Sequence, residues 1–329
     1  MRLLRLALDR YDRHFPLFDG TVKAPQGVDL QTFQVGQTVR LRDGEFRHER
    51  LLHEKEFEAA EFSFSSFLMA IDRGLDIVGV PIFPRRLFSQ GLFYVRKDGD
   101  IKAPKDLIGR RVGLNAFQTT LSVLARGDLK SFYGIPWESI TWCVSDQEKV
   151  PFTEKFGVRI HRLPRGCDLS LLLKNRELDA FIHPHPPAST ALASHDVIRL
   201  FPNAMDEEKR YFDEVGFFPI MHIVAIRRSL SQAWPELPQI LTSLFSQASS
   251  ISSTYYNDPN WSSLIWAKLA YEEQTKHFNR DPWSNGIDAN VKNIKMFVDY
   301  MKDQNLITKN LEISDLFAPA SPDSSVRSI

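Results

Sequence analysis

The sequence predicts an α/β protein of two lobes, the second inserted into the first. Three observations predict it. Short runs of apolar and β-branched residues alternate with amphipathic helical stretches, the pattern of mostly parallel sheets covered by helices. After Phe93–Arg96 this pattern restarts with its own turns, and at residues 218–223 a further strand leads back to the first unit. A chain of 329 residues, 43% hydrophobic with 24 Phe, is also long and apolar enough for more than one core.

The elements follow in order. Leu3 to Leu8 is the first strand and "GVDLQTF" the second; "EFRHERLLHEK" has a helical period. "FEAAEFSFSSFLMAIDRG" reads as strand, polar turn and helix, with Gly74 as its stop. "DIVGVPIF" is apolar nearly throughout, as in a strand covered on both faces. "GLFYVR" leads into the second unit, where "PKDLIGRRVGLNAFQTTLSVLARGDLKSFYG" gives a strand, a Gln/Thr turn and a helix closed by Gly134. "SITWCV", "DAFIHP" and "VIRLF" are its further strands. "FPIMHIVAIRR" returns to the first unit, and the chain is mostly helical thereafter. Its last helix carries Val291, Ile294, Phe297, Val298 and Met301 on one face, a core stripe. The expected division is lobe 1 from 1–95 and 219–312, lobe 2 from 96–218, and a disordered tail over 313–329, whose end is small, polar and proline-containing. The hinge is expected where the chain crosses, near Phe93 to Arg96 and Phe218 to Ile223, with the ligand between the lobes.

The 41 basic and 41 acidic side chains cancel, so neither nucleic acid nor an anionic membrane is expected as partner; a small molecule is. Cys143 and Cys167 are too few for a disulfide framework or a cysteine zinc site. The opening "MRLLRLALDRYDRHF" is broken by Arg5 and closed by Asp9, unlike a secretory signal, and no run approaches the roughly 20 apolar residues of a membrane span. A cytoplasmic protein is expected, and a homo-oligomer is compatible with the sequence.

Several clusters could carry chemistry. Asp9, Arg13 and His14 lie in an ionisable turn after the first strand, at the sheet edge where α/β proteins place ligands; a solvated loop of local ion pairs would read the same. In "EFSFSSF", Glu61, Ser63 and Ser65 alternate with phenylalanines, either as a polar-and-aromatic wall for a ligand or with a serine as helix cap. Arg85 and Arg86 follow Pro84 in "PIFPRRLF"; one of the pair, with Arg86 favoured, offers a planar fork for a carboxylate. Asn115, Gln118, Thr119 and Thr120 stand where a helix begins, a place for an anion or for ordinary capping. In "DAFIHPHPP", His183 and His185 flank Pro184. With His222 of "FPIMHIVAI" they could bind a metal, but Pro184 interrupts the strand and no further ligand cluster appears, so no metal is expected. Packing and an acid/base role both remain open for these histidines.

Taken together, "ALDRYDRHFPLFDGTV", "EFSFSSF", "PIFPRRLF", "DLIGRRVGLNAFQTTLSVLARGDLKSFYG", "GFFPIMHIVAIRRSL" and "DPWSNGIDANVKNIKMFVDY" resemble the 4,5-dihydroxyphthalate decarboxylase family, over nearly the whole chain and in the same order. The resemblance implies the two-lobe fold of the type II periplasmic binding proteins and a carboxy-lyase that releases carbon dioxide from a hydroxylated aromatic acid without an organic cofactor. The chain departs from the family pattern at Ser89 and Gln90, where relatives carry a basic pair, and in its His-Pro-His, which leaves the substrate's ring substitution open. Such chemistry protonates the ring carbon before the carboxyl departs, so a proton donor is required. His222 and His183 are the candidates, with Glu61 as base toward a phenolic hydroxyl. An arginine on the departing carboxylate would stabilise the ground state, so Phe62, Phe64 or Phe83 should face that group and Arg86 or Arg13 should hold a retained substituent. The alternative is a solute-binding protein with the same lobes and no catalysis.

Overall fold

The computed structural model describes residues 1–185 and 196–319. Its first sheet has the order β2-β1-β3-β11-β4, built from β1 (Arg2–Leu8), β2 (Val28–Gln34), β3 (Ala59–Ser63), β4 (Val78–Val80) and β11 (His222–Ile226). Strands β1, β2 and β3 run parallel, and β11 runs antiparallel between β3 and β4. In β1, Leu4, Leu6 and Leu8 are fully enclosed, each worth about 1.5–3 kcal/mol of burial. Strands β3 and β11 are buried at every position. Their few polar residues must therefore find partners inside the protein.

The second sheet has the order β10-β5-β9-β6-β7-β8, from β5 (Phe93–Arg96), β6 (Arg111–Leu114), β7 (Thr141–Val144), β8 (Arg159–Arg162), β9 (Ala180–Ile182) and β10 (Val197–Arg199). The strand β8 escapes sequence reading because it is a charged edge strand, RIHR, with no apolar alternation. Phe93–Arg96 pairs antiparallel with β9 and β10, so these residues belong to the second sheet and not to the hinge. The chain crosses earlier, where Arg86 bridges Ile220, Leu87 N–H donates to Pro219 O (3.0 Å), and Met221 and His222 N–H both donate to Arg85 O (2.9 and 3.1 Å).

Two further boundaries differ from expectation. The helix Val291–Asp303 buries Ile294, Phe297, Val298 and Met301 as its stripe predicts, but it packs on both lobes. Phe297 meets Phe64 of the first, and Asn293 Nδ2 donates to Phe218 O (3.0 Å) at the crossing; on the second, Tyr300 lies over Gly127 of the helix Thr120–Ser131, and Asp303 accepts from Trp137 Nε1 (2.7 Å). A Cβ on Gly127 would stand 2.0 Å from the Tyr300 ring, so only glycine permits this approach. The tail expected to be disordered from 313 begins instead with the helical turn Ile313–Leu316, because Leu316 and Phe317 are buried and Phe317 bridges Gly79 beside β4; residues 320–329 lie outside the described residues. Among the described residues no helix is long and apolar enough to cross a membrane.

Candidate active site

The register of β3 against β11 sets the centre. His222 stands opposite Ser63, and Val224 opposite Glu61, so His222 and Glu61 are diagonal neighbours on one face of an antiparallel pair. His222 Nδ1 hydrogen-bonds Glu61 Oε1. Glu61 is wholly enclosed, and three further donors hold it: Asp9 N–H on Oε2 (2.9 Å), Tyr11 OH on Oε1 (3.1 Å) and the Arg47 guanidinium, whose Nη2 is 3.5 Å from Oε1. With Nδ1 turned to the carboxylate, the other ring nitrogen of His222 has no partner among the described residues.

Arg47 is the cation of this cluster. It lies at the start of the helix Arg47–Leu52, after Phe46 in the left-handed region at φ 64°, and is 1% exposed. Its Nη1 donates to Asp9 Oδ2 (3.1 Å) and Val35 O (2.8 Å), and its Nε to Glu61 O (2.6 Å). Next to it, His48 Nε2 accepts the Ser63 N–H (3.2 Å) while its ring stacks on Phe62 at 3.6 Å. This ring is a structural acceptor, and burial holds it neutral.

Burial lowers the His222 imidazole below its ordinary value, and the Glu61 carboxylate pulls the other way. Glu61 itself is held well below the carboxylate range: burial opposes its charge, but Arg47 and His222 outweigh it. Burial, reinforced by the Glu61 charge, pushes the Tyr11 phenol up, so it remains a neutral donor. The result is a fixed carboxylate that orients an imidazole and offsets part of the burial cost of charging it, an arrangement a general acid or base can use. Asp9, Glu61 and His222 also place one potential ligand atom each within 4.8 Å of one another, the one such set among the described residues. Arg47 already supplies the cation to both carboxylates, so the cluster is read as an ion network. The His183, His185 and His222 metal set does not converge.

The expected wall and anion turn meet each other across the lobes. Ser63 Oγ lies 2.8 Å from Thr120 Oγ1, Ser65 N–H donates to Thr120 Oγ1 (3.1 Å), and Ser65 Oγ donates to Gln118 O (2.6 Å). Ser63 occupies the helix N-cap position, but its hydroxyl spans the seam and makes no cap bond. Thr119 caps its own helix, accepting Ser122 N–H at 3.4 Å. An anion does occupy the turn before that helix, and it is the chain's own: Glu148 accepts the Phe117 and Gln118 N–H groups at 2.7 and 3.1 Å. Asn115 is exposed at the end of β6, its carbonyl taken by Ser145 and Asp146 N–H.

The remaining predicted residues lie apart from the pair. Arg86 is buried and spends its Nη groups on Phe218 O, Ser284 O and Asn290 Oδ1 (2.7–2.8 Å), so it ties the crossing to the C-terminal segment. Arg13 bonds Pro84 O and lies over the Trp283 ring at 3.8 Å. His14 is buried, 3.1 Å from Asp9 O and edge-on to Phe245. Phe62, Phe64 and Phe83 are core residues, at most 2% exposed. His183 Nδ1 accepts the His185 N–H (2.9 Å), and no bond joins His183 to His222 or Glu61. His185 Nε2 lies 3.3 Å from Arg85 Nη2.

The sequence singles out His222, Glu61 and Asp9, which the structure brings together, and it names the pair Arg85 and Arg86 while favouring Arg86; it gives no sign of Tyr11, Arg47 or His48. The first two found are lone ionisable residues in otherwise apolar strands, a visible anomaly. Arg47 and His48 sit in "FRHERLL", which reads as part of an amphipathic helix, and only the packing decides that these two polar side chains turn inward.

This fold and centre define a two-lobe α/β protein of the periplasmic-binding-protein type with a buried carboxylate–imidazole pair near the chain crossing. In keeping with that, the aliphatic sulphonate binding protein SsuA of Escherichia coli superposes with a TM-score of 0.59 over 100% of this chain and 96% of its own, at 14% identity. No family profile matches the chain. The chain belongs to the 4,5-dihydroxyphthalate decarboxylase family: it is 30% identical over 192 residues, 56% of this chain and 71% of the relative, to 4,5-dihydroxyphthalate decarboxylase of Pseudomonas putida. It is also 29% identical to the Comamonas testosteroni protein of that name, over 98% of both chains.

Proposed function

We propose that the protein is a non-oxidative decarboxylase of a hydroxylated aromatic carboxylic acid, with His222 delivering the proton to the ring carbon in a cleft between the lobes. The observation that carries this reading is the Glu61–His222 pair, which holds one imidazole nitrogen inside and leaves the other without a partner among the described residues. The names of its curated relatives support the same reaction class. Glu61 acts as a positioning residue: its oxygens are filled by Asp9 N–H, Tyr11, Arg47 and His222, so no substrate hydroxyl reaches it. Asp9, partly exposed, is the carboxylate able to take a phenolic proton.

In the reaction, ionisation of an ortho or para hydroxyl raises electron density at the carbon bearing the carboxylate. That carbon takes the proton from His222 Nε2, the C–C bond electrons return to the ring, and carbon dioxide leaves. The phenolate then recovers its proton from Asp9. A resting imidazole lowered by burial gains its proton when the anionic substrate arrives, because a neighbouring negative charge favours the imidazolium.

Incubation with hydroxylated phthalates and benzoates in D2O tests the reading: carbon dioxide is released and the product carries one deuterium at the carbon that lost it. Tight binding of these acids without release would make the protein a solute-binding member of the fold.

A further inference from the structure

A surface helix of a globular protein ordinarily hides an apolar stripe against the core. The helix Ala267–Phe278 has no buried residue. Its seat is nevertheless fixed: Tyr271 stacks on Tyr256 at 4.9 Å, Phe278 meets Phe212 edge-on at 4.4 Å, and Trp261, on the segment leading in, packs on Tyr255 and Phe15. What the segment turns outward is apolar. Leu264 is 70% exposed, Ile265 87%, Trp266 72% and Leu269 61%, four large side chains within six positions. The helix Ala204–Val215 runs alongside in parallel, Lys209 paired with Glu273 and Asp213 with His277. One turn earlier on the same two helices Met205 and Leu269 come level, each 61% exposed.

At these exposures the five side chains present on the order of 600–700 Å² of surface, more than a typical monomer leaves in one patch and near the ~800 Å² that each partner brings to a standard interface. The charges beside the patch do not select a membrane or nucleic acid, which would need a basic excess. Lys268 pairs with Glu272 (3.3 Å), and Lys209 and His277 pair with Glu273 and Asp213, so both signs are present and neither accumulates. The formal net charge of the chain is zero, which removes the repulsion between copies. No other run of the described residues exposes three successive large apolar side chains, so a head-to-tail contact lacks a second patch of this kind. A patch that meets its own copy about a two-fold axis needs none.

We infer that residues 264–269 and Met205 form an isologous interface with a second copy of this chain. The inference is independent of the proposed reaction.

Sedimentation equilibrium of the full chain at micromolar concentration tests it. The parent should sediment at twice the chain mass or a larger even multiple. The double variant Ile265→Glu, Trp266→Glu should sediment at half the parent's mass or less, its dissociation constant raised at least about a hundredfold. Phe156→Glu, at a fully exposed aromatic between β7 and β8, should leave the mass unchanged. A monomeric parent, or an assembly whose mass the double variant does not alter, overturns the inference; a monomeric parent that floats with lipid vesicles assigns the patch to a membrane instead. Near-ultraviolet circular dichroism matching the parent shows that the double variant is folded, and where it differs Leu269→Lys alone is held to the same outcomes.

Discussion

His222 and Glu61 are joined across two antiparallel strands by the bond between Nδ1 and Oε1, two positions out of direct register and on one face of the sheet. The imidazole is the group expected to touch substrate and the carboxylate the group that aims it. His222→Gln therefore lowers kcat by about 10²- to 10⁴-fold with little change in KM. Glu61→Gln lowers kcat as well and also costs about 3–5 kcal/mol in denaturant unfolding, because Arg47 loses a buried countercharge. Full activity in His222→Gln would end the proposed role.

The seam between the lobes rests on Thr120, whose Oγ1 meets Ser63 Oγ and accepts the Ser65 N–H. Thr120→Val keeps the shape and leaves that buried N–H without its acceptor, a cost of about 1–3 kcal/mol. The expected result is a raised KM and a larger radius of gyration by solution scattering; no change in either would show that the seam does not set the lobe contact.

His14 should limit acid stability. Burial lowers its imidazole from 6.5 to about 4, so the unfolded chain binds a proton that the folded one refuses. Its contribution is complete above pH 6.5 and is lost as pH falls through that window, by roughly 3 kcal/mol in all. Denaturant midpoints measured from pH 7 to 4 should fall less steeply in His14→Gln.

Asp128 should act on the other side. It is fully enclosed and accepts the hydroxyls of Ser89 (2.7 Å), Tyr211 (2.9 Å) and Tyr300 (3.3 Å) with no cation beside it, and burial raises it to about 7. The folded carboxyl keeps a proton that the unfolded one has released, so its contribution is complete below about pH 4 and is lost progressively as pH rises to about 7. Asp128→Asn keeps an acceptor for the hydroxyls without the charge. It should gain stability relative to the parent chain as pH rises from about 4 to 7, and a pH-independent difference across that window would contradict the assignment.

Gly127→Ala should destabilise by about 1–3 kcal/mol through overpacking, since the added methyl meets the Tyr300 ring. Unfolding midpoints of Gly127→Ala and of Ala125→Gly, a control in the same helix, separate the clash from helix propensity.

The sequence by itself determined the two-lobe α/β plan and the buried strands, because alternation and long apolar runs are local properties. It also pointed to Glu61 and His222, because an ionisable residue in a fully apolar strand is visible without a structure. Only the tertiary structure decided what those residues meet. The register of β11 against β3 pairs them, and the fold carries Arg47, which reads as a surface residue, to the carboxylates. The adjacent pair Arg85 and Arg86 shows the reason most plainly. Both have the same chemistry and the same local sequence, but one is consumed by carbonyls from distant segments while the other extends toward the second lobe. Which arginine is tied down depends on contacts between residues 100 or more positions apart, and no local pattern records them.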